Sequence, residues 1–179
     1  MTTQASRAAA AALAVLVLAA GTASSTASDA SHRRRLPEAV ARAVDANKAG
    51  AEIDTLEIEK EEGITLYDIE FKGDAGEIEI AEDGTVLDVT TIVALADVPA
   101  PAAAVIEQAS RGHAIKRVER SEVRSRITKD GARGRLSGLA TPEYVYEAEF
   151  VKGGEIEVAA DGRIIKAPKF MGKASPPEK

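Results

Sequence analysis

Alternating apolar and polar residues mark two parts of the chain, and each part follows a helical segment. In the first part, apolar residues recur at helical spacing from Leu36 to Asn47, which predicts an amphipathic helix. Alternation with a period of two then continues between glycine-containing turns to about residue 92, as in YDIEFKGDAGEIEIAEDG from Tyr67 to Gly84. This pattern is typical of an antiparallel meander with one face in water. We therefore predict one helix followed by four strands.

The same pattern returns in the second half. A helix is predicted between Pro99 and Gly112, and the segment YEAEFVKGGEIEVAADG follows from Tyr146 to Gly162. Matching residues lie 62 positions apart from the helix through the first strand, and 78 or 79 positions apart in the later strands. The predicted fold class is α+β, with two tandem repeats at 36–97 and 98–168, each a helix packed on a small antiparallel meander sheet of about four strands.

The change of offset from 62 to 79 places 17 extra residues between the first two strands of the second copy. This basic insert, at about 122–141, contains the turn pair Asp130-Gly131, which favours two strands lengthened into a longer hairpin with a flexible tip. The alternative is a partner-contacting loop, because function concentrates on loops held by a rigid scaffold. The candidate basic contact loop consists of Arg124, Arg126, Lys129, Arg133 and Arg135.

The first 28 residues resemble a secretory signal peptide. Arg7 precedes an uncharged run from Ala8 to Ala20, and small residues lie at signal-peptidase spacing before positions 24 and 28. The run is short for a membrane-spanning helix, which needs roughly 20 apolar residues. We expect a periplasmic or secreted protein with no stable membrane insertion after cleavage; the alternative is an uncleaved N-terminal anchor.

The two termini of the mature chain carry little apolar pattern. Residues 29–35 are small, polar and then basic, which predicts a flexible basic lead-in, either a solvated tail or a contact to an anionic surface. Residues 169–179 have no apolar period, so we predict a disordered tail.

Charge is distributed unevenly between the two halves. Residues 36–97 carry 17 acidic and 4 basic side chains, a net charge of −13, whereas residues 98–168 carry 10 acidic and 12 basic side chains, a net charge of +2. Nucleic acid is therefore not the expected partner, since phosphate binding depends on Lys and Arg. The chain contains no Cys, which excludes disulfides, thiolate metal sites and a cysteine nucleophile.

Carboxylates on the predicted strands are the unusual chemical feature of the first half. If alternation holds, they all point away from the first helix, and like charges facing each other across strands destabilise a sheet. Such a face is neutralised by Ca²⁺, by a basic peptide or by the basic edge of the second copy (Lys116, Arg117 and Arg120), or it is a solvated face kept soluble by charge. The candidate partner or cation face consists of Glu57, Glu59, Asp68, Glu70, Glu77, Glu79 and Asp88.

Nothing in the sequence predicts catalysis. The two histidines, His32 and His113, lie far apart, and neither a Gly-x-Ser-x-Gly motif nor a phosphate-binding loop of the Walker type occurs. Asp83-Gly84 lacks the spacing of an EF-hand and is explained by a hairpin turn. We predict no enzyme activity, no catalytic residue, no required cofactor and no resident metal.

The duplicated unit resembles the PepSY family, in its subgroup named for similarity to beta-lactamase-inhibitor proteins. The resemblance rests on Tyr-x-x-x-Phe, a Gly-containing turn, Glu-x-Glu-x and then Asp-Gly, found at 67–84 and again at 146–162. It implies a helix on a small antiparallel sheet, outside the cytoplasm, that binds an extracytoplasmic protein such as a peptidase. The alternative is an acidic protein that binds divalent cations or buffers stress. The chain has no Cys and few aromatic residues, of which Tyr67, Phe71, Tyr146 and Phe150 are predicted on the inward strand faces. We therefore do not expect it to inhibit a beta-lactamase.

Overall fold

Two helix-and-four-strand units follow one another along the chain, preceded by a further helix. The structure, a computed structural model, describes residues 24–131, 133–151 and 153–168. The helices are α1 (Ser24–Arg33), α2 (Glu38–Asn47) and α3 (Ala100–Ser110), with a short 3-10 helix at Leu95–Asp97. The strands are β1 (Ile53–Glu61), β2 (Ile64–Phe71), β3 (Glu77–Ala81), β4 (Val86–Ile92), β5 (Ile115–Asp130), β6 (Arg133–Phe150), β7 (Glu155–Ala159) and β8 (Ile164–Lys166).

All eight strands belong to one antiparallel sheet in the order of the sequence. Strands β4 and β5 pair from Asp88↔Val123 to Ile92↔Glu119 and so join the two halves. The structure therefore differs from the prediction of two small sheets. The physical reason is that β4 and β5 would otherwise each expose a row of unpaired backbone groups, and pairing the two edges satisfies both.

Helices α2 and α3 pack on the same face of the sheet, where the two apolar cores lie. Val40 and Val44 of α2 are fully buried with Ile69 and Ile78. Ala102 and Ile106 of α3 are fully buried in a second cluster. The four aromatic side chains predicted on the inward strand faces are buried as expected: Tyr67, Phe71, Tyr146 and Phe150.

Helix α1 replaces the flexible lead-in predicted at 29–35. It extends to Arg33, and its Asp29 carboxylate accepts a hydrogen bond from the buried Ile53 backbone N–H at 2.8 Å. Arg33 bridges Asp29 and Asp45 and donates to the Ala51 carbonyl oxygen. The lead-in was predicted as flexible because it lacks apolar residues, but polar contacts order this segment on the edge of β1.

Two other predicted segments lie largely or wholly outside the described residues. The apolar run and the earlier cleavage position of the predicted signal peptide (1–28) precede residue 24, and the predicted disordered tail (169–179) follows residue 168. Among the residues that the structure does describe, no helix is both long enough and apolar enough to cross a membrane.

Candidate functional site: an acidic face on the sheet

Four carboxylates stand directly opposite one another across the first four strands. Asp68 of β2 is paired with Glu57 on one side and with Glu79 on the other. Glu79 is in turn paired with Asp88 of β4. Neighbouring strands lie roughly 4.8 Å apart, so the row places four acidic groups side by side. We call this set, Glu57, Asp68, Glu79 and Asp88, the carboxylate row.

A second acidic pair lies beside the row on the same face. Glu70 and Glu77 are opposite each other on β2 and β3, two residues along the strands from Asp68 and Glu79. Glu77 is followed across the sheet by Thr90, whose buried hydroxyl contacts that of Ser121 at 2.8 Å. Together with the exposed Glu59, the row and this pair form the acidic face, and the structure brings all seven predicted carboxylates to one side of the sheet.

Among the described residues, no basic side chain forms an ion pair with the acidic face. Within the described part of the chain, none of its seven carboxylates forms an ion pair with Lys, Arg or His within 4.0 Å. The neutralisation considered from the sequence, by Lys116, Arg117 and Arg120, is not observed. Lys116 pairs with Glu149, Arg117 pairs with Glu119, and Arg120 stacks over the Tyr144 ring.

On the second half of the sheet, the carboxylates of this face form ion pairs with described residues, except for Glu147. Glu119, Glu147 and Glu157 are aligned across β5, β6 and β7, and Lys166 ends that row. Lys166 pairs with Glu155 and lies 3.8 Å from Glu157. The predicted set of face residues did not include Glu119. Glu119 lies two residues from Arg117 on β5, and the two side chains therefore share one face of the strand. Uncompensated charge is thus concentrated on the first half.

Burial and mutual repulsion raise the pKa of several carboxyl groups on this side of the sheet. Loss of solvent, then the charges of neighbouring carboxylates, raise the pKa of Glu77 and Glu79 to about 8. The same causes raise the pKa of Asp88 to about 7 and that of Asp68 to about 6. Glu147 in the second half has its pKa raised to about 7. A positively charged ligand would favour the ionised forms and relieve this repulsion.

The face is not arranged as a chelating centre. Among the described residues, no group of three or more Asp, Glu or His side chains is placed to hold one metal ion. The carboxylates are instead spread along and across the strands, which matches several separate positive charges better than a single ion with six to eight oxygen ligands.

The side chains of the predicted basic contact loop do not form one continuous basic patch, because three of the five have separate partners. Arg124 donates to Asn47 of α2 at 2.5 Å and pairs with Glu122. Arg126 pairs with Glu143 at 2.6 Å, and Lys129 pairs with Glu62 at 2.9 Å. Only Arg133 and Arg135 are exposed without an ion pair to a described residue.

The basic insert is a lengthened hairpin that folds over one end of the acidic face. We call its outer part, residues 125–130 and 133–138, the arm. Ile127 and Leu136 of the arm pack with Leu66, Ala81 and Leu87 of the sheet. Sequence reasoning missed this apolar cluster, and the available signal was the pair of apolar residues inside a basic segment.

Comparisons with known proteins find solved structures that are similar to this chain at low identity. No family model matches the sequence, and no curated protein matches it significantly. A BLIP-like protein from Bacteroides fragilis is 13% identical, with a TM-score of 0.44 over 79% of this chain and 92% of that chain. A provisionally assigned periplasmic protein from Bacteroides eggerthii is 11% identical, with a TM-score of 0.44 over 72% and 85%. A provisionally assigned calcium-regulated periplasmic protein from Bacteroides thetaiotaomicron is 12% identical, with a TM-score of 0.31 over 74% and 89%. Similarities of this size assign no function to the chain.

Proposed function

We propose that this protein is an exported, non-catalytic PepSY-like binding module with two tandem copies. It binds a basic segment of an extracytoplasmic protein, for which a peptidase is one candidate class, through the acidic face. The observation that carries the proposal is the carboxylate row, in which four acidic groups are paired across adjacent strands and none forms an ion pair with a described Lys, Arg or His.

A basic polypeptide suits the spacing of the acidic face. Alternate residues of an extended chain lie roughly 6.5–7 Å apart, which is also the separation of Asp68 from Glu70 along β2. Lysine and arginine side chains are long enough to reach different carboxylates from one backbone. Each charge pair would recover part of the free energy that the sheet loses through repulsion between facing carboxylates.

The second candidate is a divalent-cation-binding protein that uses the same face. The direct cross-strand opposition of Asp68, Glu79 and Asp88 favours it, because carboxylate oxygens are the ligands that Ca²⁺ prefers. The lack of a group already placed to hold an ion among the described residues favours the basic segment instead.

Calorimetric titration of the purified protein with a lysine-rich peptide tests the proposal. The face variant is Asp68→Asn/Glu79→Gln/Asp88→Asn. The control removes the same number of carboxyl groups at exposed positions off the face, as Glu38→Gln/Asp97→Asn/Glu107→Gln. We expect the face variant to lose peptide binding and the control to keep it, with affinity falling as salt increases.

Two outcomes would contradict the proposal. Equal peptide binding by both triple variants would show that net charge, and not the face, attracts the peptide. A rise in melting temperature with millimolar calcium, absent from the face variant and without any peptide binding, would support the cation-binding candidate, because a ligand that binds only the folded state stabilises it.

A further inference from the structure

The arm has two unlike sides. Its paired strands place Ser125 opposite Gly138, Ile127 opposite Leu136 and Lys129 opposite Gly134. This inner side, small or apolar except for Lys129, contacts the sheet. The outer side carries Arg126 opposite Ser137 and Thr128 opposite Arg135, all of them exposed. The basic charge of the insert therefore faces mainly solvent, and the arm is held through its apolar side.

Among the described residues, few contacts attach the arm to the sheet. Its apolar contribution is Ile127 and Leu136, and Leu136 is only half-buried. At the tip, the Gly134 backbone N–H donates to the Glu62 carbonyl oxygen at 2.8 Å, and Lys129 pairs with the Glu62 carboxylate. That ion pair is largely exposed on the Lys129 side, and pairs of this kind contribute little. Two open clefts, of about 340 and 400 Å³, lie between the β1–β2 turn and the arm, one beside Leu136 and one beside Gly134.

At the base of the arm, the pairing between β5 and β6 is interrupted. The pairing of β5 with β6 passes from Val123↔Glu143 to Ser125↔Gly138. One residue on β5, Arg124, thus faces four on β6, residues 139–142. Such an irregularity interrupts the ladder and bends the strands. The segment beyond it has few anchoring contacts, and segments of that kind open locally with free energies below that of global unfolding.

Beneath the arm lies an apolar patch that adjoins the carboxylate row. Leu66 and Ala81 are fully buried there and directly paired, and Leu87 completes the patch. Leu66 is two residues from Asp68 on the same strand face, and Ala81 is two residues from Glu79. Release of the arm would expose these apolar side chains beside the acidic groups.

We propose that the arm is a releasable strap that covers the apolar end of the acidic face, and that its release admits a partner segment carrying both basic and apolar side chains. The inference rests on the proposed function for the identity of the partner, whereas opening of the arm is a property of the chain alone. Glu62, at the β1–β2 turn, anchors the tip of the arm when the arm is closed. The arm moves about the break in pairing at Arg124.

Opening is tested with a single thiol, since the chain contains no Cys. Ala81→Cys places the thiol under the arm, and Ala148→Cys, at an equally buried site under α3, serves as the control. We expect a soluble thiol reagent to label Ala81→Cys at least about tenfold faster than Ala148→Cys under native conditions, because local opening costs less than global unfolding. Equal rates would overturn the proposal.

Two further variants test whether Glu62 anchors the arm. Lys129→Glu places like charges together at Glu62 and should raise the labelling rate of Ala81→Cys. Glu62→Cys/Gly134→Cys should lower it when oxidised. A Cβ at position 134 would lie 2.7 Å from the Glu62 Cβ, and a disulfide needs only about 1 Å more. In the locked form, the thiol reagent is added only after the disulfide between positions 62 and 134 has formed, so that it labels the thiol at position 81. Labelling unchanged by oxidation would show that the thiol is reached without arm movement, and would also overturn the proposal.

The partner is tested separately on the locked pair without the Ala81 substitution. A peptide of alternating lysine and leucine should bind the reduced form at least about tenfold more tightly than the oxidised form. A peptide of alternating lysine and serine should bind both forms alike. If neither peptide binds, the proposed function fails, while the labelling rates still decide whether the arm opens. If both bind equally to both forms, the strap does not control the face.

Discussion

The Gly134 backbone N–H donates to the Glu62 carbonyl oxygen at 2.8 Å, and a Cβ on Gly134 would lie only 2.7 Å from the Glu62 Cβ. Only glycine allows this approach without displacement of the arm tip or the β1–β2 turn. Glu62 itself has a φ of 50°, so the turn is already in the left-handed region that most side chains avoid. The contact therefore depends on a small residue in the arm and an unusual backbone in the turn.

Gly134→Ala should destabilise the arm without unfolding the protein. The clash is relieved when the arm detaches, so the loss in free energy of unfolding should not exceed the anchoring energy of the arm, about 1–2 kcal/mol. Gly138→Ala is the matched control, because a Cβ there meets nothing within 4 Å. Urea denaturation measures both, and an equal effect at the two sites would contradict the role given to Gly134.

The stability of the fold should fall as pH rises through neutrality. The raised pKa of Glu79, about 8, means that the folded state holds a proton more tightly than the unfolded state at pH values between about 4.5 and about 8. Stability that is present below this range is lost as the group ionises. Glu79→Gln should therefore lose less stability than the wild type between pH 5 and pH 9, by about 1–3 kcal/mol.

Urea denaturation of the Glu79→Gln and Glu107→Gln variants at both pH values provides the measurement. Glu107 is an exposed residue of α3, so its substitution should leave the pH dependence of the wild type unchanged. If Glu79→Gln shows that same dependence, the carboxylate row does not govern stability.

Gly76 should be among the least replaceable glycines in the sheet. Its φ is +81°, and an added Cβ would lie 2.1 Å from the Thr90 carbonyl oxygen. Gly73 also has a positive φ, +65°, but open space around it. Gly73→Ala therefore reports the backbone cost alone, about 1–2 kcal/mol. We expect Gly76→Ala to cost at least about 2 kcal/mol more, measured by thermal or urea denaturation. Similar losses in both variants would mean that the close approach to Thr90 is unimportant.

Asp29 should stabilise the edge of the sheet from α1. Asp29→Ala leaves the Ile53 N–H, on a residue with no exposed surface, without its acceptor, which costs about 1–3 kcal/mol. Glu38→Ala, which removes the exposed ion pair with Arg42 on α2, should cost only about 0.5 kcal/mol. A melting-temperature shift no larger for Asp29→Ala than for Glu38→Ala would show that α1 does not hold β1.

Much of the fold follows from local pattern. Alternation alone placed Tyr67, Phe71, Tyr146 and Phe150 in the core, and it placed the seven carboxylates on the opposite face. These predictions succeed because side-chain direction in a strand depends only on position, with a period of two. The helix-and-four-strand order is likewise readable, since glycine-containing turns separate each segment.

How these parts meet depends on contacts between distant segments of the chain. Alternation assigns a face but not a register, so the direct opposition of Asp68, Glu79 and Asp88 depends on turn geometry. The β4–β5 pairing that unites the sheet, the order that Asp29 imposes on α1 and the return of the arm to Glu62 all join residues that are distant in sequence. Contacts of this kind are set by the free energy of the whole chain, and no local window of the sequence contains both partners.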